Sequence, residues 1–153
     1  MATHGHEQEW MWKEYADGEH AVAMVSTLDR LISAMPENVD VGHVDYVDFG
    51  SEGSYTAIHF ARAFMKRITL EDEREVRAVL YESPVIEHGR WSIPIRPGDE
   101  VGHRVPVDLS TLLMRVVLSP ISSDDREQVS SALADAGISV PVIDSELRDR
   151  PRY

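Results

Sequence analysis

The sequence predicts an α/β or α+β fold, a single domain with helices packed on a central mixed β-sheet. Three observations predict it. Helix-spaced and strand-like stretches are interspersed along the whole chain rather than segregated. Two apolar, strand-like runs, Glu75–Glu82 and Arg90–Ile95, lie close enough to form an antiparallel hairpin. The last third reads strand, helix, strand, the order of a parallel crossover, and so predicts a C-terminal β-α-β unit. A chain of 153 residues, 42% hydrophobic, holds one domain with a real core and is too short for two ordinary ones.

The elements follow in order. Residues 1–6 are expected to be disordered, the domain to span 7–147, and residues 148–153 to be a polar tail. Glu7 to Ala16 reads as a short helix with Trp12, Tyr15 and Ala16 at i, i+3 and i+4, broken by Asp17-Gly18. Ala21 to Val25 is apolar on both faces and reads as a buried strand. Leu28, Leu31, Ile32 and Met35 mark a helix for which Ser26 and Asp29 supply a capping box, with Pro36 beyond its end. Val39 to Phe49 is a valine-rich strand region, and residues 50–53 a loop. A helix is expected from Tyr55 to Arg67, with His59, Arg62 and Lys66 on its polar face. After the hairpin come a turn at Pro97-Gly98-Asp99, a short strand at Arg104–Asp108, and a helical turn at Ser110–Met114 capped by Asp108 or Ser110. Val116–Ser119 is a strand. The helix after it starts at the acids Asp124 and Asp125, turns Val129, Ala132, Leu133 and Ala136 inward, and stops at Gly137. The return strand, Ile138–Ile143, contains Pro141. Proline has no amide hydrogen to give a ladder, so this strand belongs at a sheet edge beside Val116–Ser119.

Composition excludes several chemistries. No cysteine is present, so disulfides, thiolate nucleophiles and cysteine metal sites are excluded. No apolar run approaches the ~20 residues of a membrane span, and no apolar leader opens the chain, so a cytoplasmic protein is expected. The formal charge of −12 repels phosphate backbones and argues against non-specific nucleic-acid binding. Abundant acid with 13 Arg and only 2 Lys suits a salt-rich prokaryotic cytoplasm, although a GC-rich genome also favours Arg. The histidines are scattered, and there is no His-x-x-x-His pair, Gly-rich phosphate loop or Gly-x-Ser-x-Gly elbow, so no metal site is expected.

The densest chemistry lies between Arg62 and Arg77, where five bases and four acids fall together. In a strand starting near Glu75, alternate residues share a face. Glu73, Glu75 and Arg77 would project together, opposite Val76, Ala78 and Leu80. Such a row is either a functional cluster or a solvated sheet face. Lys66 and Arg67 could hold a phosphate or carboxylate, or pair with the nearby acids. Trp12 and Tyr15 could stack on a base, or pack in the core. Ser26 and Thr27 could touch a ligand where strand meets helix, or only cap that helix.

The ordered segments resemble a known family. Met11-Trp12-Lys13-Glu14-Tyr15 and Ala21-Val22-Ala23-Met24-Val25-Ser26-Thr27 are similar to its "MWxxY…GVAIxST" opening, and Val41 to Asp48 to its "IGKVxYxDY" strand. Lys66-Arg67 with Glu71 to Arg77 resembles its "KRxxFExExEVR" signature, with Leu70 in place of Phe and Asp72 in place of His. Val105 to Leu109, Leu118-Ser119-Pro120 and Val142 to Leu147 resemble its later "VPVDL", "VSP" and "VxxSxL" positions. The family is the prokaryotic domain-of-unknown-function family twenty-nine seventy-one, and the resemblance implies no established activity. The chain opens almost at the Met-Trp motif, as an N-terminally shortened member would.

Two functions follow as expectations. In one, the chain is a non-catalytic interaction or accessory module of a stress or defence locus, binding an unknown protein partner. In the other it binds a small nucleotide ligand. A Glu-x-Glu at a strand start, with an upstream Ser-Thr and an aromatic helix, resembles the acidic motif of ADP-ribosyltransferases. NAD would then be the cofactor, Glu75 the carboxylate facing the oxocarbenium-like ribose, Glu73 the residue orienting the acceptor, Tyr15 a stacking ring, and Arg77 or Lys66 the phosphate holder. Salt adaptation has its own test. Added ions screen like charges over about 8–10 Å at 0.1–0.15 M, so the melting temperature rises from low salt to molar potassium chloride. A flat or falling curve in differential scanning fluorimetry counts against it.

Overall fold

A computed structural model describes residues 5–16, 20–50, 59–80, 85–87, 90–92, 104–121 and 125–148. In chain order the elements are α1 (Glu9–Tyr15), β1 (Val22–Val25), α2 (Leu28–Ala34), β2 (Val39–His43), β3 (Asp45–Val47), α3 (His59–Arg62), β4 (Met65–Arg67), β5 (Val76–Leu80), β6 (Val85–Glu87), β7 (Arg90–Ser92), α4 (Leu109–Leu112), β8 (Arg115–Leu118), α5 (Arg126–Asp135) and β9 (Val142–Asp144). Short 3-10 turns cover Ile68–Glu73 and Glu146–Arg148. The fold is α+β. It gathers into two compact units, a terminal unit of His4–Ala34 with Val107–Tyr153 and an inserted unit of Met35–Pro106.

The terminal unit is built on a mixed sheet in the order β1-β8-β9. β1 runs antiparallel to β8, with Val22 opposite Leu118 and Val25 opposite Arg115. β9 runs parallel to β8, with Val116 opposite Val142. With α5 between them, β8 and β9 form the C-terminal β-α-β unit that the sequence predicts. The central strand carries Val116, Val117 and Leu118, all buried, and Leu31, Leu113 and Ile138 are the other buried apolar residues among those described in this unit. Pro141 immediately precedes the edge strand β9, and its carbonyl accepts the Val116 N–H at 2.9 Å. The edge position and the pairing with β8 follow the sequence expectation, but the strand is Val142–Asp144 rather than Ile138–Ile143, and Pro141 lies just outside it.

Gly137 ends α5 with φ +70. The Gly137 N–H donates to the Ala134 carbonyl and the Ile138 N–H to that of Leu133, satisfying carbonyls that the helix end leaves open. The C-terminus of α4 is satisfied from another helix. Arg30 Nη1 donates to the carbonyls of Thr111 at 3.1 Å and Leu113 at 2.8 Å. Ser26 Oγ donates to the Leu112 carbonyl at 2.5 Å. Ser26 is therefore not the cap of α2. Thr27 Oγ1 takes that role, accepting the Arg30 N–H at 3.3 Å. Asp108 caps α4 by accepting from the N–H groups of Ser110 and Thr111.

β1 is not buried on both faces. Val22 and Met24 are exposed, while Ala23 and Val25 are half-buried. An apolar run cannot say whether its second face will find a cover, and here only one is covered. Ile32 of the predicted α2 stripe is likewise exposed, whereas Leu31 is buried.

In the inserted unit, β2 runs antiparallel to β5, with His43 opposite Val76 and Val39 opposite Leu80. The Val44 N–H donates to the Glu75 carbonyl, extending this pairing by one step. The same stretch of chain continues as β3 and takes a new partner, running parallel to β4 with Tyr46 opposite Lys66. The Asp45 N–H donates to the Phe64 carbonyl at 2.7 Å. Among the described residues of this unit, Val44 and Val76 are the buried apolar ones.

Several expectations fail here for identifiable reasons. The helix predicted to Arg67 ends at Arg62, and Met65–Arg67 is strand β4. The backbone of β3 needs partners, and a local helical preference yields to that demand. Lys66 thus lies on a strand, not on a helix face with His59 and Arg62. The predicted hairpin is replaced by two pairings, β5 with β2 and β6 with β7. Long-range pairing of that kind leaves no local mark. Arg104–Asp108 is irregular rather than a strand. Within β5, Val76 is buried as expected, but Ala78 is exposed and Leu80 and Val79 are both half-buried, so the strand has no single core face beyond its first residue. The turn predicted at 97–99 and the loop at 51–53 lie outside the described residues, as do residues 1–4 and 149–153.

A side chain at position 137 would meet no atom within 4 Å. The cost of Gly137→Ala is therefore conformational, about 1 kcal/mol for a left-handed non-glycine residue. Urea denaturation should register that loss. Gly5→Ala, in open space without positive φ, should stay within about 0.5 kcal/mol of the wild type.

Candidate functional site

The charged row folds into a network on three neighbouring pieces of the inserted unit. β5 places Glu75 and Arg77 on one side, two residues apart, as strand alternation demands. β4 brings Lys66 beside them. Glu73 reaches the group from the end of the 3-10 turn rather than from the strand. Between turn and strand, Arg74 adopts left-handed backbone, φ 44 and ψ 53.

Arg77 holds Glu75 in a forked pair, Nε to Oε1 at 2.6 Å and Nη2 to Oε2 at 3.1 Å. Arg77 Nη1 donates to the Ala63 carbonyl at 2.6 Å. Lys66 Nζ donates to Glu73 Oε2 and, at 3.3 Å, to Glu75 Oε2. From β3, the Tyr46 hydroxyl accepts the Glu75 N–H at 2.7 Å. The four charged side chains are only 14–29% exposed. Opposite Arg77 lies Gly42, where a Cβ would stand 3.1 Å from Phe64 Cε1, so the missing side chain leaves room for that ring.

The electrostatics are mutual. The hydrogen bond from Arg77, aided by Lys66, holds the Glu75 carboxyl below its ordinary range, against the opposing push of burial. Glu73 above all, then Glu75, raises Lys66, and the pair with Glu75 raises Arg77. Lys66, Arg77 and Glu75 therefore favour one another's charged state.

Other residues singled out from the sequence lie elsewhere. Arg67, next to Lys66, is exposed on the far side of β4. Trp12, Tyr15, Ser26 and Thr27 belong to the terminal unit. Trp12 and Tyr15 line an apolar groove of about 250 Å³ with Met11, Ala16, Ala21 and Val22. Tyr15 is 61% exposed rather than packed in the core. Ser26 and Thr27 are engaged in the helix-end contacts already described.

Sequence reading missed three polar contacts. Tyr46 gave no sign beyond its place in a valine-rich run, because the register that sets it beside Glu75 is long-range. Glu7 accepts from Trp12 Nε1 at 3.3 Å, from the buried Ser145 hydroxyl at 2.5 Å and from the Glu146 N–H at 3.1 Å, tying the first helix to the C-terminal 3-10 turn. His20 Nδ1 stands 2.8 Å from Asp125 Oδ1. No group of three or more His, Asp or Glu among the described residues is placed to hold a metal ion. No helix among them is long and apolar enough to cross a membrane. Compared with known proteins, the chain matches no family model, no curated sequence and no solved structure.

Glu75→Gln keeps the size of the side chain but strips Arg77 and Lys66 of their shared anion. The expected loss is about 1–2 kcal/mol at pH 7, since the network is half-buried and partly screened. The pH dependence has a definite sign. A carboxyl lowered by folding stabilises fully above the unfolded glutamate value, about 4.3, and that contribution disappears as pH falls through the lower folded value. Urea denaturation from pH 7 to 3 should show wild-type stability falling below about pH 4.3, with a shallower fall in Glu75→Gln. Lys66, raised on folding, contributes below the unfolded lysine value, and its part is lost as pH rises through the higher folded one.

Proposed function

We propose that this chain is a non-catalytic interaction or accessory module that acts in the cytoplasm, and that the charged row is a structural clasp. The observation carrying this reading is the closure of the network. Both oxygens of Glu75 are taken by Arg77, and Lys66 binds one of them as well. A carboxylate that stabilises a developing cation must face the reacting atom. Here a ligand would first have to break a forked, charge-assisted pair. Lys66 and Arg77, the bases placed to hold a phosphate beside Glu75, are the same groups that neutralise Glu73 and Glu75. The net charge of −12 further disfavours polyanionic partners.

Isothermal calorimetry with NAD and with ADP-ribose tests the reading against the ADP-ribosyltransferase-like alternative. The expected result is no saturable heat with either. Saturable binding by the wild type, lost in a folded Glu75→Gln variant, would overturn the proposal and restore Glu75 and Glu73 as candidate catalytic residues.

A further inference from the structure

We infer that the free edge of β1 is a docking site for an extended, basic peptide segment with alternating apolar residues, which adds to the sheet as a further strand. The inference rests on the interaction-module reading and names its partner class.

Backbone geometry comes first. Among the described residues, β1 is an edge strand that pairs with β8 alone. The Ser119 N–H donates to the Ala21 carbonyl at 3.0 Å. Hydrogen-bonded residues alternate along an antiparallel strand. Ala21, Ala23 and Val25 therefore direct their backbone groups toward β8, and Val22 and Met24 direct theirs outward. Met24 is 70% exposed and Val22 44%, so apolar side chains are open on this strand, and no described strand pairs with its outward peptide groups. Natural sheets normally blunt such an edge with a charge, a bulge or a proline. Val22-Ala23-Met24-Val25 has none of these, whereas the opposite edge strand of the same sheet is preceded by Pro141.

Side-chain recognition comes second. The groove between α1 and the start of β1 offers Trp12, Tyr15 and Val22 to apolar side chains of an added strand. In strand addition the backbone gives affinity, and pockets for alternate side chains give selectivity.

Charge decides the occupant. The described residues leading into β1 include Glu7, Glu9 and Glu14 against the one base Lys13, in a chain of net charge −12. Glu9 already pairs with Lys13 at 2.6 Å. Two copies meeting edge to edge would bring like charges together, whereas a segment with basic flanks would be attracted and steered.

The probe is a fluorescein-labelled peptide, Arg-Arg-Val-Thr-Val-Thr-Val-Arg-Arg, titrated with the full chain by fluorescence anisotropy. Saturable binding that weakens with salt is expected. Met24→Pro removes one outward N–H on the open edge without touching the β8 ladder, and should weaken binding at least about tenfold. If that variant fails to fold, the wild type is titrated with the peptide N-methylated at its alternate valines, which should bind about as poorly. Exchange of the four Arg for Glu should also abolish binding. The inference falls if the basic peptide does not saturate the protein, if proline and N-methylation leave affinity unchanged, or if the acidic peptide binds equally well. A concentration-dependent dimer in sedimentation equilibrium, dissolved by Met24→Pro, would assign the edge to a second copy and overturn it too. Peptide failure without NAD binding defeats this inference alone, whereas NAD binding defeats the interaction-module reading.

Discussion

A carboxylate that has lost most of its water must be neutralised by the protein around it, and Glu75 imposes that demand on the whole inserted unit. Its two oxygens fix where Arg77 and Lys66 must be, and its backbone fixes Tyr46 and Val44. Lys66 reaches it only because β4 runs parallel to β3, and Arg77 only because β5 keeps strand alternation past the left-handed Arg74. The register of two separate pairings is thus consistent with one small group of charges. Replacing the network with apolar residues of similar volume could leave stability unchanged, whereas removing a single member leaves others stranded. Such a network enforces one arrangement more than it adds stability.

The terminal unit meets a different requirement. Its helices are short, and short helices are mostly ends, so carbonyls and amides without intrahelical partners make up much of each. Side chains from other elements satisfy them. Arg30 and Ser26 of the α2 region serve α4, and Glu7 serves the turn at Glu146–Arg148. On the strand β9, Asp144 receives both Arg126 and Arg148. Polar contacts between elements hold much of what longer helices would hold by themselves.

Legibility in the sequence follows the range of the interaction. Gly137 as a helix stop, Asp108 as a cap and Pro141 beside an edge strand are local consequences of one residue's chemistry, and each is read directly. So is the β-α-β order around α5. The pairing of β5 with β2 in place of a hairpin, and the strand at Met65–Arg67 in place of a helix, depend on partners more than a dozen residues away. Strand alternation identifies Glu75 and Arg77 as neighbours. It says nothing of Lys66 arriving from the far side, nor that the resulting group closes on itself. Exposure of Val22 and Met24 escapes for the same reason, since an apolar residue does not announce whether anything will cover it.

The interleaving of the two units also sets an order of events during synthesis. Met35–Pro106 is continuous in the chain, so everything its strands need is available once that stretch has left the ribosome. The mixed sheet is otherwise placed. Val22–Val25 leaves the ribosome well before its partner Arg115–Leu118, with the whole inserted unit made in between. Closing so long a loop is entropically costly when the intervening chain is loose. Through that interval a nascent chain carries β1 without its β8 partner. While it lasts, the strand's edges are open to mispairing, the kind of exposure that chaperones cover.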